Sequence, residues 1–186
     1  QTQVARDYQM HVIDQAVEIL KHRQVSCLFT TPRLLESLGD RLDVPGRGIK
    51  GVFIGGTHMT PQVLRFLSEE VLDHRAQLVP TYGNTLMGLA IAKPLTADDG
   101  YQLTYYAPQP RAVLRLVDAK DTSRTVDYGQ WGRVELTTMT REFFMPRLLE
   151  RDEAVRREPH ERYPWDGVGD VRPFGYETKQ TIEGVY

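Results

Sequence analysis

Two glycine-containing runs carry the residue types that could hold a phosphorylated ligand. The first, residues 55–61, reads Gly-Gly-Thr-His-Met-Thr-Pro and follows a short apolar segment. Adjacent glycines let a flat or anionic ligand approach the backbone closely. The helix that Thr60 and Pro61 predict would present unpaired N–H groups to negative charge. The run is a candidate ligand loop, and a simple tight turn is the alternative.

The second run, residues 81–85, reads Thr-Tyr-Gly-Asn-Thr. An aromatic ring at this place could stack on a base, and the small polar side chains could hold a phosphate. The alternative is an Asx-type turn with Tyr82 packed into the core. In a parallel α/β sheet both runs would lie at the carboxyl ends of strands, where ligands bind.

The other reactive residue types indicate no further site. The five histidines lack metal-ligand spacing, so no zinc site is expected, and only His58 lies in a candidate ligand loop. Cys27 sits within an apolar run, which is typical of a small buried side chain and not of a nucleophile. Trp131 and Trp165 stand beside glycine, aspartate or proline, so we expect them to pack under loops.

The first half of the chain predicts the elements that position these runs. Residues 25–31, 51–54 and 78–80 are short, apolar and β-rich, which predicts buried strands. Thr60 and Pro61 predict a helix start, and Pro32 can occupy the first turn of another helix. Such alternation predicts a parallel sheet covered by helices. A first helix is predicted from near-helical apolar spacing at Val4, Tyr8, Val12, Ile19 and Leu20.

After residue 94 the pattern changes to alternating β-rich segments. Residues 102–106, 112–117 and 133–138 predict antiparallel strands joined by polar turns. Residues 151–162 alternate in charge and predict a solvated helix or loop. The predicted fold class is α/β: a mixed, largely parallel sheet flanked by helices, followed by a smaller β-rich portion. The predicted divisions are 1–95, with the ligand loops, 96–175, which is β-rich, and 176–186, which begins a further portion.

Composition describes an ordinary globular protein, with 40% hydrophobic and 26% charged residues. The net charge of −2 offers no basic face for nucleic acid or an acidic membrane. No apolar run approaches the ~20 residues of a membrane span. Cys27 alone excludes an internal disulfide and favours a reducing compartment, so a cytoplasmic location is expected. Because the chain begins with Gln1, we expect it to be a segment of a longer protein.

Four segments taken in order resemble the adenylate-forming superfamily of ligases. They are residues 27–32, 52–56, 82–85 and 132–146. The last reads Gly-Arg-Val-Glu-Leu-Thr-Thr-Met-Thr-Arg-Glu and ends at Pro146, which is similar to the corresponding run of phenylacetate–CoA ligases and their relatives. Within that branch, the chain resembles adenylating enzymes of phenazine antibiotic pathways. The fold implied is part of the N-terminal domain of such an enzyme, with residues 176–186 beginning its C-terminal cap.

The resemblance implies ATP-dependent activation of a carboxylic acid, in this branch an aromatic one, as its acyl-adenylate. Tyr82 would stack on adenine, Asp152 would bind both ribose hydroxyls, and Thr85, the implied catalytic residue, would contact the α-phosphate. His58 and Gly56 would contact the acid. The implied nucleotide-binding set is Gly55, Gly56, Thr57, Tyr82, Gly83, Asn84, Thr85 and Asp152.

Several features depart from the family pattern. Leu86 stands where the family places a glutamate that reaches the metal, which puts the use of Mg²⁺ in doubt. The run that ends at Asp152 keeps little of the family pattern, which leaves its register open, so Asp170 is the alternative ribose acid. The phosphate loop and the C-terminal lysine have no counterpart, so the segment alone is expected to be inactive.

The acyl acceptor stays open among coenzyme A, a carrier-protein thiol and water, and a homodimer is one assembly that the sequence allows. A non-catalytic nucleotide- or acyl-binding descendant of the fold is the rival function. A sugar-nucleotide-binding α/β domain is a third, although it would leave residues 132–146 unexplained.

Overall fold

The computed structural model describes residues 3–175, and two compact units divide the chain between Val79 and Pro80. The predicted start of a C-terminal cap, residues 176–186, lies outside the described residues. The boundary predicted between residues 95 and 96 falls within the second unit and stays a prediction. The two units are described separately.

The first unit combines helices with a parallel pair of strands. Strand β1 (Cys27–Thr30) runs parallel to β2 (Gly51–Ile54), with Leu28 opposite Val52. A short 3₁₀ turn, Pro45–Arg47, precedes β2. The helices are α1 (Gln3–His22), α2 (Pro32–Gly39) and α3 (Pro61–Phe66), the last continued by a π-helical turn, Leu67–Val71.

Both short helices begin where the sequence predicts, at a threonine followed by a proline. The Oγ1 atoms of Thr31 and Thr60 each accept a hydrogen bond, at 3.3 Å, from the backbone N–H three residues later. Pro32 and Pro61 occupy the first turn of their helices, where a missing N–H costs nothing. These caps fix the direction in which the chain leaves β1 and enters α3.

The side chains that helix α1 buries are mostly not those whose spacing predicts the helix. Val4 and Tyr8 are 77% and 71% exposed, whereas the buried side chains are Ile13, Val17 and Leu20. The predicted first helix is confirmed, and the apolar side chains of its first two turns are exposed. Among residues 3–175, no helix has the length and apolarity that crossing a membrane requires.

The parallel pair buries one face and leaves the other open. Val52 and Ile54 of β2 are fully buried, together with the helix residues Leu35 and Leu64. The opposite face carries Cys27, which is exposed, and the stacked pair of Phe29 and Phe53. The prediction of a buried Cys27 was therefore wrong, because strand alternation places it on the open face.

The second unit is an antiparallel sheet. It contains the end of β3 (Gln77–Asn84), which starts in the first unit, and six further strands. The strand order is β3-β4-β5-β9-β8-β7-β6, with every paired neighbour antiparallel. The bounds of the further strands are β4 (Gly88–Ala92), β5 (Thr104–Tyr106), β6 (Ala112–Val117), β7 (Trp131–Met139), β8 (Phe144–Arg157) and β9 (Gly167–Pro173).

The predicted mixed α/β class is confirmed, and the antiparallel part is larger than the sequence suggests. Parallel pairing joins β1 to β2, whereas the β-rich unit supplies most of the described strands. One prediction was wrong in part: of the charged residues 151–162, residues 151–157 are the end of β8, whereas 158–162 lie outside the strands. The charges of this strand end are satisfied across the sheet, as in the ion pair between Glu153 and Arg172 at 2.7 Å.

Candidate functional site

The first glycine run lies at the carboxyl end of β2, as predicted. Gly55 is buried and its N–H donates to the carbonyl of Thr30 at 3.3 Å, which continues the parallel pairing. Gly56 has a φ of +84°, where an L side chain is strained. The side chains of Thr57 and His58 are exposed, and Met59 is buried behind them. The run is thus an anchored surface loop with two polar side chains facing solvent.

The second run is a strand end and hairpin turn and not an open loop. Asn84 closes β3, and its Oδ1 accepts hydrogen bonds from the N–H groups of Leu86 and Met87 at 2.9 and 3.0 Å. This is the Asx-type turn that the sequence offers as an alternative. At Gly83 an added Cβ would lie 1.9 Å from the carbonyl oxygen of Gly88, so the two hairpin strands approach too closely for any side chain there.

Two residues predicted to bind one nucleoside are joined directly. The hydroxyl of Tyr82 donates to Oδ2 of Asp152 at 2.8 Å, although 70 positions separate them in the chain. The half-buried ring of Tyr82 also packs against Tyr105, with ring centroids 5.7 Å apart. Within residues 3–175, Oδ1 of Asp152 has no hydrogen-bond partner. The pair therefore offers a fixed aromatic ring beside a carboxylate oxygen that can accept a hydrogen bond.

A second polar link runs alongside the first. Nδ2 of Asn84 donates to Oε1 of Glu150 at 2.7 Å. Tyr82 and Asn84 are two residues apart on β3, and Glu150 and Asp152 are two apart on β8, so each pair shares one face of its strand. The two links hold the hairpin end of β3 against β8. Both the oxygen and the nitrogen of the Asn84 side-chain amide therefore form hydrogen bonds within the described chain.

The electrostatics of this pair differ from those of an exposed acid. Burial raises the pKa of Asp152, the hydrogen bond from Tyr82 lowers it, and the charge of Glu150 raises it. Burial also raises the pKa of the Tyr82 phenol, as does the nearby charge of Asp152. Tyr82 therefore stays protonated and donates, while Asp152 accepts.

A cavity of about 620 Å³ lies beside the hairpin turn. It brings the turn together with the end of β7 and the loop that follows it, part of the run from residue 132 to 146. Sequence reasoning missed Arg111, since a single arginine between a proline and a strand forms no recognisable pattern. The lining residues are Thr85, Leu86, Arg111, Thr138, Thr140, Glu142 and Phe143.

This cavity does not provide the metal-binding acid of the family pattern. Leu86 is half-buried, and its carbonyl accepts a hydrogen bond from Thr138 Oγ1 at 3.0 Å. Among the cavity's lining residues, Glu142 carries the one carboxylate, at an exposed position. In the part of the chain that the structure describes, no three His, Cys, Asp or Glu side chains are grouped to hold a metal ion. Leu86 therefore supplies no ligand for Mg²⁺, and Glu142 is the one carboxylate among the lining residues that could.

The alternative ribose acid has another partner. Asp170 accepts a hydrogen bond from Nη2 of Arg157 and forms an ion pair with it. Each aspartate accepts through Oδ2 alone; Asp152 differs in that its partner is a neutral phenol, whose aromatic ring lies beside it, and not an arginine. The geometry favours Asp152 over Asp170, and the role in ribose binding stays a prediction.

Comparison with known proteins identifies the fold through structure. No protein-family model matches the sequence, and no curated protein matches it significantly. An open conformation of 2-hydroxyisobutyryl-CoA ligase, solved with 2-HIB-AMP and CoA, matches 87% of this chain and 36% of its own, at 18% identity and a TM-score of 0.69.

Two further structures extend this likeness. CmiS6 matches 84% of this chain and 42% of its own, at 17% identity and a TM-score of 0.63. PA1221, an NRPS protein containing adenylation and PCP domains, matches 86% and 35%, at 15% identity and a TM-score of 0.59. The chain spans about a third of the length of 2-hydroxyisobutyryl-CoA ligase and of PA1221. It therefore has the fold that these ligase and adenylation-domain structures share over the matched part.

Proposed function

We propose that this chain belongs to an adenylate-forming enzyme that uses ATP to activate a carboxylic acid as its acyl-adenylate. The observation that carries the proposal is the hydrogen bond between Tyr82 and Asp152, because it joins the two residues that the family resemblance assigns to adenine and ribose. The fold supports the proposal, since one structure that shares it is a ligase solved with the adenylate 2-HIB-AMP.

In this proposal the residues of the second unit hold the nucleotide. Adenine stacks on Tyr82, and Oδ1 of Asp152 accepts a hydrogen bond from a ribose hydroxyl. A charge-assisted bond of this kind is about twice as strong as a neutral one. Thr85 contacts the α-phosphate from the hairpin turn. Gly83 and Asn84 contribute by shaping that turn, and not by contacting the nucleotide themselves.

The first unit contributes the predicted contacts of its glycine run. Gly55, Gly56 and Thr57 are proposed to border the nucleotide, and His58 is proposed to contact the acid together with Gly56. Attack of the acid's carboxylate on the α-phosphorus releases pyrophosphate. Catalysis of such a substitution rests on positioning and on stabilising developing charge. No step is assigned to Mg²⁺, because Leu86 supplies no ligand for it.

Finer features of the enzyme are proposals that rest on the sequence resemblance. We propose an aromatic acid, as in phenylacetate–CoA ligases, and a role in antibiotic biosynthesis of the phenazine kind. The acceptor is proposed to be a thiol of coenzyme A or of a carrier protein. The structure of 2-hydroxyisobutyryl-CoA ligase with CoA and the PCP domain of PA1221 support such acceptors. A cytoplasmic homodimer completes the proposal.

The proposal is tested by pyrophosphate exchange with the full-length protein over a panel of aromatic acids. We expect acid-dependent exchange that Asp152→Ala abolishes and that Asp170→Ala leaves measurable. Exchange unaffected by Asp152→Ala would remove Asp152 from the site. Calorimetry with AMP distinguishes the rival function, since a non-catalytic descendant binds AMP without any exchange. Leu86 is the observation that favours this rival, because it removes an acid on which catalysis in the family depends.

A further inference from the structure

We propose that Arg111 binds the α-phosphate of the nucleotide and supplies directly the positive charge that a metal ion at position 86 would otherwise bring. This inference rests on the proposed function, because it assigns a residue to the phosphate of the same nucleotide. It concerns the cavity of the second unit, in which Arg111, Thr85 and Leu86 line one space.

The guanidinium of Arg111 lies beside the backbone of the hairpin. A Cβ added to Gly88, the first residue of β4, would lie 3.2 Å from Nη2 and 3.3 Å from Cζ of Arg111. The guanidinium therefore lies over bare backbone, where a larger residue would push against it. Gly88 also has a φ of +80°, where an L side chain is strained, and this favours glycine at the position.

The side chain of Arg111 has no hydrogen bond or ion pair among residues 3–175, unlike three arginines of the same sheet. Arg115 and Arg147 both bind the buried Glu135, at 3.0 Å each, and Arg156 binds Asp166 at 2.8 Å. By contrast, the Arg111 side chain forms no hydrogen bond or ion pair within the described chain, although its cavity contains a carboxylate. Arg111 is exposed, and its unpaired guanidinium is available to an anionic ligand.

The hydroxyl groups of the cavity narrow the anion's position. Thr138 donates its hydroxyl hydrogen to the carbonyl of Leu86, and Thr140 donates to the carbonyl of Phe143. Thr85 is exposed, and its hydroxyl has no partner in the described residues. The cavity therefore offers one guanidinium and one hydroxyl to a ligand. Guanidinium groups bind phosphate oxygens through two parallel hydrogen bonds, which an ammonium cannot reproduce.

The leucine at position 86 is consistent with this arrangement. A glutamate there would line the same cavity as Arg111, attract its guanidinium and compete with the phosphate. With leucine, the cavity keeps its cationic group uncompensated except by the exposed Glu142. Leu86 and the unpaired Arg111 thus act together. The leucine leaves the guanidinium free of a competing carboxylate, and the guanidinium can then bind a phosphate.

The test is calorimetry on the full-length protein with AMP and with adenosine, each in Mg²⁺ and in EDTA. We expect wild type to prefer AMP over adenosine in both buffers. Arg111→Gln should weaken AMP binding at least tenfold and leave adenosine binding unchanged, and Arg111→Lys should recover part of the loss. The control Arg124→Gln removes an exposed arginine outside this cavity and should change neither affinity.

Three results would overturn the inference while leaving the proposed function intact. One is an AMP affinity unchanged by Arg111→Gln. Another is equal loss of AMP and adenosine binding, which would indicate damage to the hairpin. The third is an AMP preference that disappears in EDTA and in Glu142→Gln, which would identify Glu142 as a metal ligand. A wild-type protein that binds neither ligand would overturn the proposed function itself.

Discussion

The carboxylate of Asp152 is partly buried, which disfavours its negative charge, and it accepts few hydrogen bonds. Burial raises the pKa of this carboxyl, and a single donor, the Tyr82 hydroxyl, offsets part of that effect. A carboxylate in this state gains from any additional donor, because burial strengthens the hydrogen bonds that it accepts. Ligand hydroxyls would supply such donors, so the same features that make Asp152 unfavourable for folding make it suited to binding.

The raised pKa of Asp152 predicts how its contribution to stability depends on pH. Because the folded-state pKa lies above the ordinary 3.8, the folded state holds this proton more tightly than the unfolded state. The contribution of Asp152 to folding is therefore greatest below pH 3.8 and falls as the pH rises through the folded pKa. Asp152→Asn cannot ionise, so we expect its stability relative to wild type to increase between about pH 4 and pH 7.

Denaturant unfolding across this pH range measures the difference. Asp118→Asn is the control, because its effect on stability should change with pH in the opposite direction. Hydrogen bonds from the N–H groups of Lys120 and Asp121 lower the pKa of Asp118. The folded-state pKa of Asp118 lies below the ordinary 3.8, so the relative stability of Asp118→Asn should fall as the pH rises towards about pH 4 and stay flat from there to about pH 7. A flat difference between wild type and Asp152→Asn would show that burial does not control this carboxyl.

Two substitutions of Tyr82 can separate the contribution of its ring, which we propose stacks on adenine, from that of its hydrogen bond to Asp152. Tyr82→Ala should weaken AMP binding by about 1–3 kcal/mol, the usual loss of an aromatic–base stack. Tyr82→Phe keeps the ring and loses the donor to Asp152, so it should retain most of this affinity. Calorimetry on the full-length protein measures both. The control is Tyr128→Ala, since Tyr128 also donates to an aspartate, Asp166 at 2.7 Å, but lies outside the proposed site. Equal losses in Tyr82→Ala and Tyr128→Ala would contradict the stacking role.

At the scale of elements, the sequence predicts most helix starts and most strands, but it does not predict which of their faces are buried. Strands Gly51–Ile54 and Ala112–Val117 and the capped helix starts after Thr31 and Thr60 follow from local residue preferences. Such preferences depend on neighbours in the chain. The open face at Cys27 depends instead on which side of β1 the helices cover, and no local pattern contains that information.

Strand β8 also shows that local sequence does not reveal which partners an element will have in the fold. Its end, residues 151–157, reads as solvated because its charges alternate without an apolar face. The charges become tolerable only when β9 and the β6–β7 connection supply partners, as when Arg156 donates to the carbonyl of Val126 at 2.7 Å. Pairing across the sheet thus overrides the local pattern. The contact of Tyr82 with Asp152 has the same origin, since the resemblance names both residues but only the fold joins them.

The hairpin between β3 and β4 provides a prediction for this scale. In Gly83→Ala the added methyl would meet the carbonyl oxygen of Gly88 at 1.9 Å, so the strands must separate. We expect a loss of about 1–3 kcal/mol or more in the free energy of unfolding, as in other overpacked sites. Gly51→Ala is the matched control in another strand, because its Cβ would meet only Sγ of Cys27 at 3.4 Å. Similar losses in the two variants would show that the close approach is not limiting.

At the scale of the whole molecule, fold and sequence have diverged to different degrees. The chain shares 18% identity with 2-hydroxyisobutyryl-CoA ligase over 87% of its length, yet the TM-score is 0.69. A sheet tolerates such change because its core needs apolar volume at alternate positions and not particular residues. Binding residues are constrained differently, since each must present a certain atom to the ligand. Leu86 and Arg111 mark the places where we propose that this chain has changed its chemistry within a retained fold.

The last prediction concerns the catalytic competence of the 186-residue chain by itself. It spans 36% of the ligase that it matches, and its cavity at the hairpin offers one unpartnered arginine and one hydroxyl. Positioning ATP for attack requires donors around the β- and γ-phosphates as well, and developing charge must be stabilised at the moment of reaction. We therefore expect no pyrophosphate exchange above background from this chain alone, while the full-length protein exchanges.

Exchange assays of both proteins with the same acids and Mg²⁺ measure this difference. AMP calorimetry on the isolated chain is the accompanying control. The proposed contacts of Tyr82, Thr85, Arg111 and Asp152 all lie in the second unit, so AMP should still bind to a folded chain, with an affinity that Arg111→Gln reduces. Exchange by the isolated chain would show that its own residues complete the catalytic centre. In that case the phosphate contacts would have to be sought within these 186 residues.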